Sequence, residues 1–380
     1  MHALTNPVKA YAWGSLDAIP LLLGTEPTGE PQAELWIGTH PSGSSVLSAD
    51  GRSLRDVIAT PLPFLMKILS AAAPLSLQVH PSKAQAESGY AAEDAAGLAL
   101  DAPTRNYKDA NHKPELLYAL TQFEALCGFA PPAQSVDLLR RIRSETSLGA
   151  GVLDDLIDDL ADPDESAALR RATERLLTLD TAAAAALVPA VTTACRGIDE
   201  PGARTAVDLA LHYPGDAGVV LSLLLNRVSL APGQAIFLPA GNMHAYLRGT
   251  GVEVMAASDN VLRGGLTPKH IDVPELLAIV QFAAIAPTPI TPIEPVAGQL
   301  DFVLPVEDFG LSILSLSPGR SFRWEERVPR TVFVLDGEVT LTSGSRTLAL
   351  ARGASAFLPA ADAPIEVAGE GRLAVAAPGH

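Results

Sequence analysis

Leu230-Ala231-Pro232-Gly233-Gln234-Ala235-Ile236-Phe237-Leu238-Pro239-Ala240 returns 120 positions later as Leu350-Ala351-Arg352-Gly353-Ala354-Ser355-Ala356-Phe357-Leu358-Pro359-Ala360, with seven of the eleven residues identical. Each copy reads alike: a glycine turn, a short apolar strand and a proline that stops it. The copies part company where chemistry is concerned. His244 follows the first, whereas Pro364 stands at the matching place after the second. Two related β-structures are therefore expected, one keeping a ligating side chain and the other only the frame.

Upstream of this pair, residues 1 to 125 read as β-rich, with short apolar segments such as Glu34–Gly38 and Phe64–Leu69 between Pro and Gly. The texture then changes. Leu153, Leu156, Ile157 and Leu160 recur at helical spacing with Asp154, Asp155, Asp158 and Asp159 opposite. Asp162-Pro163-Asp164-Glu165 reads as the next helix start, with Asp162 as cap. Strand texture returns with Val219–Leu225, read as a buried strand, and a short helix is expected near Pro274–Ile279. Short strands with Gly and Pro turns suit closed barrels of the jelly-roll and cupin kind. The fold class expected is mainly β with a helical insertion: two cupin-like barrel domains plus an α-helical domain. Residues 1–130 and 212–272 are assigned to a discontinuous catalytic domain, 131–211 to the insertion, and 273–380 to a C-terminal domain lacking metal ligands.

Composition narrows the function. A net charge of −16 over 380 residues argues against nucleic acid or an anionic membrane as partner. It leaves open a small anionic substrate, which feels only the local charge. Cys127 and Cys195 match no metal or redox spacing, so a reducing cytoplasm is expected. Residues 1–12 lack the pattern of a signal peptide, and no apolar stretch reaches transmembrane length. The chain is read as a monomer.

Three polar clusters carry candidate chemistry. In Leu75-Ser76-Leu77-Gln78-Val79-His80, Gln78 and His80 share one strand face, at a rise of about 3.3 Å per residue. Asn111-His112-Lys113-Pro114-Glu115 runs into the apolar Leu116–Leu120, and Asn242-Met243-His244 follows the first copy of the repeat. Together Gln78, His80, Glu115 and His244 offer nitrogen and oxygen ligands and no thiolate, a set that suits one zinc ion with an open position. Such a pocket is net positive and suits an anionic ligand.

These stretches, with Pro7–Gly14, Ala33–Pro41 and Gly251–Lys269, resemble the type I mannose-6-phosphate isomerase family. The resemblance implies a zinc enzyme that interconverts mannose 6-phosphate and fructose 6-phosphate, the metal ligands just assembled, and a catalytic arginine at Arg263. Isomerisation through an enediolate needs a base and an oxyanion stabiliser. Arg263, always charged, fits the second role. The base stays open: Lys113 ranks first, then Glu253 and His112, with Glu253 as an anchor for Arg263 the competing reading. Lys67 and Ser76 are assigned to substrate binding. A cupin metal oxygenase and a non-catalytic sugar-binding barrel are the alternatives; the neutral fourth ligand Gln78 and the basic surround fit the first poorly.

Overall fold

The computed structural model describes residues 1–379. Strand alternation sets its layers. In Glu34–Gly38, Leu35 and Ile37 enter one apolar cluster, while Glu34 and Trp36 face the opposite way, into a cavity. Phe64–Ala71 repeats the pattern, Met66 and Ile68 joining that cluster and Leu65, Lys67 and Leu69 lining the cavity. These strands belong to a ten-stranded sheet organised around the long strand His244–Ala256. That strand is antiparallel to Phe64–Ala71, with Glu253 opposite Lys67, and to Glu115–Ala119, with Met255 opposite Glu115.

A second ten-stranded sheet forms the C-terminal barrel, its longest pairing between Arg330–Ser343 and Ile365–Ala377. Its interior is filled with aliphatic side chains, among them Val332, Val334, Leu341, Leu358 and Leu373. The two sheets share one buried layer, in which Ile37, Met66 and Val254 meet Phe309, Ile313 and Phe333. The two copies of the repeat form equivalent strands, Ala235–Leu238 in the first sheet and Ser355–Leu358 in the second.

Helices between Pro132 and His212 cover the outer face of the first sheet. Leu139, Leu153, Leu156, Leu169 and Leu187 pack there with Leu77, Val79, Ala245 and Leu262. Among the described residues no single helix is long and apolar enough to cross a membrane.

Several local expectations need correction. Val219–Leu225 is buried but helical: Gly218–Leu221 is an α-helix, Ser222–Leu224 a 3₁₀ turn, and the strand begins only at Leu225. A short run buried on all sides has no period to tell strand from helix. The helix after Pro163 starts two residues late. Asp164 caps it through Ala167 N–H at 3.1 Å, and Asp162 instead accepts from Asp164 N–H at 2.7 Å. The helix Lys83–Ala95, closed by a Ser82/Gln85 capping box, was not anticipated. Strands His2–Thr5 and Val46–Leu47 lie in the C-terminal sheet, where His2 pairs with Phe357 and Leu4 with both Ser355 and Leu47.

Candidate metal centre and substrate cavity

Gln78, His80, Glu115 and His244 come from three separate stretches of chain, and strand register brings them together. Gln78 lies opposite His244 on one side and Arg263 on the other. His80 follows directly on the end of strand Leu77–Val79, and Glu115 opens its own strand. The ligating atoms of His80, Glu115 and His244 lie within 4.8 Å of one another, and all three residues are buried.

The ring orientations are fixed from behind. His80 Nδ1 meets the Asn260 carbonyl at 2.7 Å, and His244 Nδ1 meets the Asn242 carbonyl at 2.9 Å. A carbonyl only accepts, so each Nδ1 carries the hydrogen and each Nε2 presents a lone pair. Those Nε2 atoms face Glu115 Oε1 and Oε2, each at 3.3 Å, without hydrogen-bond geometry. His80 Nε2, His244 Nε2 and Glu115 Oε2 are buried with no hydrogen-bond partner. Burial, helped by the Lys113 charge, lowers the His80 pKa to about 4, so the ring is neutral. Burial opposes the Glu115 charge, but the Lys113 charge beside it outweighs burial and holds this carboxyl well below the usual range. Two lone pairs and an anion aimed at one dry point repel each other unless a cation lies between them. The donor set therefore fits a divalent metal.

The adjoining cavity measures about 520 Å³. Lys67, Lys113, Arg263 and Lys269 line it, against Glu34, Glu115, Glu253 and Asp259. Trp36, Leu65 and Met255 form an apolar patch on its wall. A larger groove of about 870 Å³ lies on the C-terminal barrel, but Asp336, Glu338, Glu366 and Glu370 line it, a poor host for a phosphate.

The remaining predicted residues divide. Lys113 faces the cavity, with Nζ 2.9 Å from Glu115 Oε1. Glu253 also faces it, but pairs with Lys67 at 2.8 Å and does not anchor Arg263. Burial raises the Glu253 pKa despite that partner. Burial alone would lower the Lys67 pKa; Glu253 and Glu34, the latter at 3.4 Å, more than reverse it. His112 does not line the cavity: its Nε2 bonds Asp308 Oδ2 at 2.7 Å, as expected for a residue on the face opposite Lys113. Ser76 lines the cavity.

Lys269, His40 and Tyr246 also line the cavity. Lys269 stands close enough to Arg263 that the guanidinium, with burial, lowers its pKa. His40 Nε2 lies 3.5 Å from Asp259 Oδ1, in the Thr39-His40-Pro41 stretch already quoted for its resemblance. The Tyr246 hydroxyl is buried without a partner. Tyr246 stands two residues past His244, so the rule that joins Gln78 to His80 would have found it.

Comparison with known proteins agrees with this geometry. The family model "Phosphomannose isomerase type I, catalytic domain" matches residues 1–132, and "Mannose-6-phosphate isomerase, cupin domain" matches residues 298–378. The chain is 43% identical to the mannose-6-phosphate isomerase of Escherichia coli (strain K12) over 398 residues, covering 98% of each. It is 33% identical to that of Homo sapiens over 316 residues, covering 73% of this chain and 72% of the relative. A crystal structure of mannose 6-phosphate isomerase bound with zinc and yttrium superposes over 100% of both chains, with a TM-score of 0.91 and 37% identity. The apo form from Salmonella typhimurium gives 0.91 and 37%, over 100% of this chain and 99% of that one. Three converging metal-ligand candidates, a cavity that sets four basic side chains among four acidic ones, and near full-length likeness lead to one conclusion: the chain belongs to the type I phosphomannose isomerase family.

Proposed function

We infer that the chain is a zinc-dependent mannose-6-phosphate isomerase, interconverting D-mannose 6-phosphate and D-fructose 6-phosphate. The observation that carries this reading is the convergence of two imidazole lone pairs and a carboxylate beside a cavity lined by Arg263 and Lys269. Moving a carbonyl between C1 and C2 takes a proton from one carbon and returns it to the next, with enediolate charge to be met meanwhile. Gln78, His80, Glu115 and His244 are the proposed ligands of zinc, which when bound supplies positive charge and Lewis acidity to the sugar oxygens.

The other roles are proposed from position and charge. Arg263, beside Gln78 in strand register, presents its fork of donors to the developing oxyanion. The order of base candidates reverses. Lys113 is engaged as an ammonium with Glu115, and an ammonium donates rather than accepts a proton. Glu253, with its raised pKa, is the proposed base, and Lys113 the donor to a sugar oxygen. Lys269 and Ser76 are proposed to hold the phosphate. Lys67 has its charge spent on two carboxylates and is proposed to govern the protonation of Glu253.

We also propose the division 1–130 with 212–272, 131–211 and 273–380, except that His2–Thr5 and Val46–Leu47 go with the last. Monomeric action is proposed. A cytoplasmic setting is supported by the two unpaired, buried cysteines. A coupled isomerase assay tests the function. Turnover should vanish on chelation and return with zinc; full activity in metal-free protein overturns the reading.

A further inference from the structure

Asn260 has no solvent exposure, and its side-chain amide works in both directions. Its Oδ1 accepts from the backbone N–H of Lys108 at 2.6 Å and of Asp109 at 3.3 Å. Its Nδ2 donates to the carbonyls of Asp109 at 2.7 Å and Asn111 at 2.8 Å. Beside it, Ser258 Oγ donates to Asp109 Oδ1 at 2.9 Å, and Asp259 N–H donates to Asp109 Oδ2 at 2.8 Å. The loop that leads into Lys113 and Glu115 is thus clamped to the loop that leads into Arg263. The backbone carbonyl of the same Asn260 receives His80 Nδ1. One residue thus bonds to the chain leading into Glu115 and to His80, from the stretch that leads into Arg263.

We propose that Asn260 is a positioning residue that sets Glu115 and His80 at their mutual distance, and thereby fixes zinc affinity and the placement of Lys113 relative to Arg263. It does not line the cavity and acts through the loops it holds. The proposal rests on the zinc reading above. An amide is required because two carbonyls and two N–H groups face the same side chain. A carboxylate of the same size meets the carbonyls with lone pairs only.

The test is a zinc titration of metal-free protein against a competing chelator, well below the unfolding temperature, on wild type, His80→Ala and Asn260→Asp. Tight binding by wild type and its loss in His80→Ala establish the zinc reading separately. Asn260→Asp is then expected to bind zinc about 10–100-fold more weakly, and in the zinc-saturated enzyme kcat should fall more than KM changes. Wild-type zinc affinity in folded Asn260→Asp overturns the proposal, whatever its melting temperature does. Absence of zinc binding by wild type defeats the underlying reading, and this one with it. Should Asn260→Asp not fold, Ser258→Ala removes only the hydroxyl from the same clamp. A severalfold weaker affinity supports the proposal, and an unchanged one overturns it.

Discussion

His244 and Arg263 should fail in different ways. His244→Ala removes a ligand, so zinc content and activity are expected to disappear together. Arg263→Ala should keep its zinc and lose about 10²–10³ in kcat, the usual effect of deleting one oxyanion donor. Metal analysis and assay on the same preparations separate the two. Glu253→Gln should slow turnover and also destabilise the fold, by up to about 3–5 kcal/mol in urea unfolding, because Lys67 loses its nearer partner while buried. The pH dependence of the zinc-free protein follows from His80. Its folded pKa of about 4 lies below an unfolded value near 6.5. As pH falls through 6.5 the unfolded chain takes up a proton that the folded one refuses, so stability drops until about pH 4. The depressed Glu115 pKa acts in the same direction, its contribution being present above the unfolded carboxylate value and lost as acid reaches the folded one. Melting temperatures across pH 4–7 in a chelator check the sign. At this scale the sequence was most readable where one strand supplied two side chains, as with Gln78 and His80. The pairing of His112 with Asp308, 196 positions away, has no local signature, and neither does the clamp made by Asn260.

The strand His244–Ala256 shows what an element adds to its residues. Tyr246 and Glu253 both line the cavity although they are seven positions apart, an odd number that plain alternation forbids. The register shift between Tyr246 and Arg248 absorbs the extra residue and turns the later half of the strand over. Gly249 stands just past this point with φ of +128°, where a Cβ would lie 2.7 Å from the Gln122 carbonyl oxygen. Gly249→Ala is therefore expected to cost at least about 1–3 kcal/mol in equilibrium unfolding, since backbone atoms must move. Pattern reading placed Glu253 inward from its own neighbours Val252 and Val254, which works on one side of a bulge. Carrying the phase onward from His244 would have placed it outward. Val219–Leu225 escaped for a related reason, since a run packed on every side presents no polar face from which to count.

For the whole molecule, the buried layers shared by the two sheets and the helices hold the architecture without help from the ion. Removing zinc should abolish turnover while leaving the far-UV circular dichroism nearly unchanged, unlike small domains that unfold without their metal. The two-barrel plan was legible because the repeat is written in the chain. The exchange of His2–Thr5 into the distant barrel was not, because a short strand carries no address for its partner. Ala3→Pro, which places a residue without N–H between Ser355–Phe357 and Val46–Leu47, should loosen the C-terminal barrel and lower its unfolding midpoint by calorimetry. That exchange also bears on biosynthesis. The strand is made about 350 residues before the one it joins, which at about 5–20 residues per second is a delay of roughly 20–70 s on the ribosome. Throughout it, the edge of that segment destined for Ser355–Phe357 has no permanent neighbour, and a nascent chain held in this state is the form that a chaperone would have reason to guard.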